Sequence, residues 1–294
     1  MDGGLSARKE KLWIFDPATF LLSRSVMRRL ALLLLATLPL AAQESPLFPR
    51  FSLTGATGPS FFDTNARIDP DSAIGEVQGT LVNFERDLAL DDERPLRRYG
   101  LQWRLFARHE LEATYFSAPR NGFAQIDREI TFRDQVYPVS ALVTTQFDLD
   151  YTSATYTYWA RQSHRDGLGI SLGVANIKLD AAITTTQPGG SVTLSETAET
   201  EVPVALIGAQ GRFAFTNQIL GEAAIATLPR VTIEDYTGTA LTAHAKLEYR
   251  PVRWFGVGAS YNYFRMDVDV DQSDLSGTLD MTIQGPEVFV RLAF

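Results

Sequence analysis

The chain has 294 residues, 45% of them hydrophobic, and its 27 basic and 35 acidic side chains give a formal charge of −8. That acidic balance disfavours nucleic acid as a partner, because phosphates require a basic surface. There is no cysteine, which excludes disulfide frameworks and thiolate metal sites.

Read from its start, the chain offers an export signal. Arg28 and Arg29 precede the apolar run Leu30–Leu38, and Pro39–Ala42 supplies a small-residue exit, so 27–42 reads as a signal peptide cut before Gln43. A core of about nine apolar residues is too short to span a bilayer, which needs roughly 20. Residues 1–26 lie upstream of a natural start at Met27 and read as a non-native extension outside the fold. Residues 1–42 hold six basic and three acidic side chains, so the remainder, 43–294, carries a formal charge of −11.

Beyond Ala42 no apolar run is long enough for a membrane helix, and no period of 3.6 residues is sustained. Alternating segments separated by polar turns recur instead, which argues for an all-β chain. In chain order, short turns fall at 107–110, 163–167, 216–218 and 251–253. Longer connections are expected at about 61–95, 132–138, 186–199, 230–238 and 271–277. Four short turns and five long connections make ten antiparallel strands, with eight or twelve as the other even counts.

Several strands carry a clear face. Leu168, Ile170, Leu172 and Val174 oppose Gly169, Ser171 and Gly173. Ala205, Ile207, Ala209, Phe213 and Phe215 oppose Gln210 and Arg212, and the segment after the next turn sets Glu222 against Gly221 and Ala223. Leu241, Ala243, Ala245, Leu247 and Tyr249 oppose His244, Lys246, Glu248 and Arg250. At the C-terminus Val288, Val290, Leu292 and Phe294 oppose Glu287, Arg291 and Ala293. A soluble sandwich would not bury successive polar and charged residues on one face; a transmembrane barrel has this apolar-out, polar-in dyad. Two ambiguous segments, 80–89 and 123–132, would each set an arginine, Arg86 or Arg128, within the more apolar face. At mid-membrane that costs roughly 2–4 kcal/mol, so both are expected to be hairpins projecting above the membrane. Trp103, Trp159 and Trp254 lie beside the short turns, where interfacial aromatics are expected.

The inward face so defined comprises Arg98, Gln102, Arg104, Glu110, Glu112, Gln210, Arg212, Glu222, His244, Lys246, Glu248, Arg250, Glu287 and Arg291. Both signs are present, and buried charges must pair, so a hydrogen-bonded network that plugs a narrow lumen is expected. A small water-permeable pore is the alternative, although selective transport would favour one dominant sign. Catalysis has little support. His109 and His164 fall in turns, and His244 sits among charged neighbours where a network member is expected rather than a general base. Asp267, Asp269 and Asp271 are the one metal-like constellation, but the run lacks the glycine and the bidentate glutamate of an EF-hand. It reads as a solvated acidic loop, and no metal or cofactor is implied.

The export signal, the alternating strands and the terminal run Val288–Phe294 resemble small outer-membrane β-barrel proteins of Gram-negative bacteria, over about 48–294. The resemblance implies an up-and-down, porin-like transmembrane barrel in the outer membrane. It also implies contact with outer-membrane lipids and lipopolysaccharide, and recognition of Leu292 and Phe294 by the barrel assembly machinery. For function it implies a non-catalytic envelope or surface-interaction role through the outer loops, ahead of a narrow channel for small solutes and of a surface enzyme.

Overall fold

Alternation in the sequence becomes long antiparallel strands. The computed structural model describes residues 47–69, 79–127, 130–132, 135–137, 142–186, 193–233, 236–272 and 275–294. The extension and signal peptide read at 1–26 and 27–42 lie outside these residues. Ten strands build the wall: β1 (Phe51–Asp69), β3 (Glu93–Phe106), β4 (His109–Gln125), β7 (Leu142–Gln162), β8 (Asp166–Thr186), β9 (Thr193–Ala214), β10 (Ile219–Ile233), β11 (Tyr236–Val252), β12 (Phe255–Gln272) and β13 (Leu275–Ala293). Each pairs with its neighbour in chain order, and β13 pairs back onto β1 from Ser52↔Ala293 upward, so the sheet closes. Closure leaves the wall no free edge, as a bilayer requires. The chain ends are stitched together at one rim, where Phe51 and Phe294 exchange backbone hydrogen bonds of 2.7 and 2.9 Å.

That rim holds the short turns. β3 and β4 are joined through Ala107–Arg108, β7 and β8 through 163–165, β9 and β10 through 215–218, and β11 and β12 through Arg253–Trp254. Short turns and both chain ends mark the periplasmic side of such barrels. The other end departs from expectation. The wall strands run 14 to 22 residues, whereas crossing a bilayer takes about 9–11. Much of what alternation assigned to loops at 61–69, 193–199, 230–233 and 271–272 is continuous strand, and the barrel wall stands well above the membrane.

The strands also change character halfway up. On β8 the outward residues are Leu168, Ile170, Leu172 and Val174, each 56–62% exposed, followed by Asn176, Lys178 and Asp180. The inward ones are Gly169, Ser171 and Gly173, followed by Ala175, Ile177, Leu179 and Ile183, all four buried. β7, β12 and β13 switch in the same way. The lower half is therefore apolar outside and polar inside, fit for lipid. The upper half is polar outside and apolar inside, as a water-surrounded barrel must be.

The two ambiguous segments resolve differently. Residues 80–89 form no hairpin. They make the short strand β2 (Val82–Asn83), paired with Asn65 and Ala66 of β1, and one helical turn, α1 (Phe84–Asp87), which tucks into the mouth. The reason is the spacing of apolar groups: Val82, Phe84, Leu88 and Leu90 are all buried against the upper core, while Arg86 points to solvent. Residues 123–125 instead complete β4, and β5 (Ile130–Phe132) pairs with β6 (Gln135–Tyr137) as a separate two-stranded hairpin.

Candidate functional site

The interior of the barrel is the site the sequence points to, and it is built in layers. At the periplasmic base Leu47 and Phe48, just before β1, fold into the lumen against Trp159, Ala214 and Leu220. Phe48 and Trp159 meet edge to face at 4.8 Å. Trp159 is thus no interfacial aromatic. On β7 the odd positions face inward, and its ring is fully buried, whereas Trp103 and Trp254 are exposed at the rim as expected. Gly167 makes room for this cap, since a Cβ there would collide with the Phe48 ring. Gly167→Val is expected to expel Phe48 from the base, read as faster proteolysis of the segment before β1, with heat-modifiable gel mobility retained. Unchanged proteolysis would refute the cap.

Above the base lies a layer of charge. Arg212 on β9 donates a bidentate pair to Glu110 on β4 at 2.6 and 2.8 Å, and its Nε donates to Glu222 on β10 at 2.9 Å. A further Arg212 hydrogen bond reaches the Leu47 carbonyl at 3.3 Å, and the guanidinium sits 4.6 Å from the Trp159 ring centroid. Glu222 also accepts from Lys246 Nζ at 2.9 Å and lies 3.2 Å from His244 Nε2. Glu248 accepts from Arg250 at 2.8 Å and from Arg291 at 3.0 Å, and Arg291 donates to Thr54 at 3.3 Å. On the far wall Arg98 pairs with Glu287 at 3.2 Å. Gln102 donates to Glu112 at 3.1 Å and accepts from Ser52 at 3.0 Å, while Gln210 donates to Thr157 at 3.2 Å. Arg104 is half-buried at the lower end of β3.

Register explains these partnerships. Arg212, Glu222 and Lys246 stand directly opposite one another across β9, β10 and β11, where opposite charges stabilise a sheet. Gly256 faces Glu248, and a Cβ there would strike the carboxylate. The partners missed by sequence reading, Ser52, Thr54 and Thr157, are short hydroxyl residues on inward positions. Parity alone would have found them.

Over the charged layer lies a chamber of about 110 Å³ bounded by Arg98, Glu112, Lys246 and Asn262 below and by aromatic rings above. Phe116 stacks on Tyr151 at 4.8 Å, Tyr151 meets Phe264 at 5.7 Å, and the Arg98 guanidinium lies 4.4 Å from the Phe116 ring centroid. The apolar upper core follows, with Leu149, Ile177, Met266, Met281 and Ile283 among its buried members. The mouth above it is stoppered by α1. Glu85 on α1 accepts from the buried Arg120 of β4, and Arg120 also donates to Thr64 at 2.9 Å. Phe62 and Phe147 lie 4.5 and 5.1 Å from that guanidinium. Burial pushes the Arg120 guanidinium below its ordinary pKa, and the Glu85 carboxylate opposes the shift. Arg120 shares the inward parity of Glu110 and Glu112 on β4, which was the signal for it.

The remaining candidates lie elsewhere. The His109 ring contacts the Tyr156 hydroxyl at the periplasmic rim, and His164 is exposed in a turn. Asp267 and Asp269 lie on the outward side of β12, where Asp267 faces Asp280 across the strands; the side chain of Asp271 lies outside the described residues. Among the described residues no group of acidic or histidine side chains is arranged to hold a metal ion. Leu292 and Phe294 face outward at the lower end of β13.

Neither a known family model nor a curated protein sequence matches the chain. Among solved structures it is similar to the outer membrane protease OmpT of Escherichia coli, at 9% identity and a TM-score of 0.54, over 83% of this chain and 96% of that one. Lower-scoring matches include the attachment invasion locus protein Ail of Yersinia pestis, at 13% identity and a TM-score of 0.28 over 79% and 98% of the two chains. They also include the toluene transporter TodX of Pseudomonas putida, at 8% and 0.36 over 85% and 91%. The likeness to OmpT is one of fold. With the closed wall and its lipid-fit belt, it gives this chain the fold of a ten-stranded outer-membrane-type β-barrel.

Proposed function

We propose that the chain is a non-catalytic, sealed outer-membrane barrel that serves envelope structure or surface interaction through the half of its wall that stands above the membrane. The observation that carries this reading is the stacked interior: an aromatic base, a paired charged layer, an apolar core and a latched stopper occupy the lumen in sequence. A mixed-sign network with its charges partnered favours closure over selective conduction. None of the three histidines sits in the outer mouth, so a surface enzyme would have no histidine general base there. Leu292 and Phe294, outward at the last turn of the wall, are the residues offered to the barrel assembly machinery, and outer-membrane lipids and lipopolysaccharide are the surroundings of the belt.

Planar-bilayer recording of the full chain tests the sealed state. Insertion is expected to give a baseline without discrete steps, and reproducible unitary steps would overturn the reading in favour of a narrow channel.

A further inference from the structure

We propose that the outer wall carries a binding trough for one phosphate-bearing lipid of the outer leaflet, its acyl portion laid across β1, β13 and β12 and its headgroup held by Arg97. A depression of about 1110 Å³ lies on this side of the barrel, ten times the chamber inside it. Its floor is made of Gly55, which has no side chain, and of the short outward side chains of Ala259 and Val288. Tyr99 stands on one side, and Leu247 and Tyr249 on the other.

The trough has a direction. Arg97, Thr57, Val288, Ala259 and Leu247 form one continuous cross-strand row from β3 to β11. Strands in such barrels tilt by about 35–45°, so a row of this kind descends obliquely through the membrane. Arg97 is its upper end. β3 climbs from Phe106 at the periplasmic turn through Trp103, Leu101 and Tyr99 to Arg97, and with about 9–11 residues per crossing that position falls at the outer-leaflet headgroups.

Arg97 is exposed, and among the described residues no carboxylate pairs with it. An apolar trough ending in one unpaired guanidinium fits an amphiphile with an anionic head, and a phosphate matches the guanidinium fork. A second copy fits less well. A twofold interface would set trough against trough, concave on concave, and leave the space unfilled. Gly55 supplies a clean probe, because a Cβ there would meet nothing within 4 Å; a larger side chain would grow into the trough without disturbing the wall.

The test is native mass spectrometry of the detergent-extracted full chain with two probes, lipid A carrying its phosphates and the same lipid dephosphorylated. Heat-modifiable mobility would confirm that each variant is folded. The wild type is expected to retain one phosphorylated lipid through detergent removal. Arg97→Gln, or loss of the lipid's phosphates, should each lower retention about tenfold, as loss of a charge-assisted hydrogen bond does. Arg97→Lys should recover part of it, and Gly55→Leu should abolish it. Equal retention by all variants, or by both lipids, would overturn the proposal. So would a two-copy species that Gly55→Leu dissociates, which would make the trough an interface between copies. The outcome is independent of whether the lumen conducts.

Discussion

Replacing Arg212 by alanine is expected to destabilise the barrel by about 3–5 kcal/mol, the usual cost of breaking a buried ion pair by removing one partner. Arg212 is 4% exposed, and Glu110 and Glu222 are 2% and 8% exposed, so neither carboxylate can turn to water. The expense falls unequally on the two. Glu222 keeps Lys246 at 2.9 Å, whereas Arg212 is the partner that holds both oxygens of Glu110. The double variant Arg212→Met with Glu110→Gln should therefore recover most of the loss, since it removes the stranded charge along with the cation. Urea unfolding in lipid vesicles, followed by tryptophan fluorescence, measures both. A single-variant loss below about 1 kcal/mol, or a double variant no better than the single, would show that the charged layer is not the brace described.

The reversal of polarity along β8 carries the second large effect. Leu172→Arg puts a cation on the lipid face and should cost roughly 2–4 kcal/mol. Asp180→Arg, eight residues up the same face, should change stability by no more than about 0.5 kcal/mol, because it stands in water opposite Asp148 and Glu199. For truncation to alanine the order inverts between the lower, outward Leu172 and the upper, inward Ile177. Ile177→Ala should cost about 2–5 kcal/mol as a cavity in a packed core, while Leu172→Ala loses only contacts with lipid. If Leu172→Arg and Asp180→Arg cost the same, the membrane boundary is not between Val174 and Asn176. The same vesicle unfolding assay reads all four variants.

Much of this arrangement was legible in the chain, because strand geometry is local. Successive side chains point to opposite faces, so the run 168–174 declares its lipid face without any partner, and a short turn such as 215–218 fixes which residues stand opposite across it. That is why the ten-strand count and the periplasmic turns could be read from the chain. At Trp159 two signals conflict: the neighbouring turn suggests the interface, whereas parity places it with Ser153 and Thr157 on the inward face, and parity prevails. The full length of the strands is hidden in the chain for a different reason. Above the membrane the two faces exchange solvents, so Asp63, Asp69 and Glu199, all strand residues, read as loop residues when a bilayer is assumed for the whole length. Residues 80–89 are ambiguous in the chain alone, since a short helix and a strand share the same scattered apolar positions, and only a core to bury Phe84 and Leu88 decides between them.

The sequence by itself determined a closed, even-numbered barrel, the side of each strand that meets lipid, and an inner face of both charge signs. Tertiary structure decided which charges meet, that the interior divides into layers, and that the mouth is stoppered. Arg212 finds Glu110 from 102 residues away, and Arg98 finds Glu287 from 189. Parity reports direction along one strand, whereas partnership across the lumen depends on closure of the ring and the stagger of all ten strands, which no local stretch of chain contains.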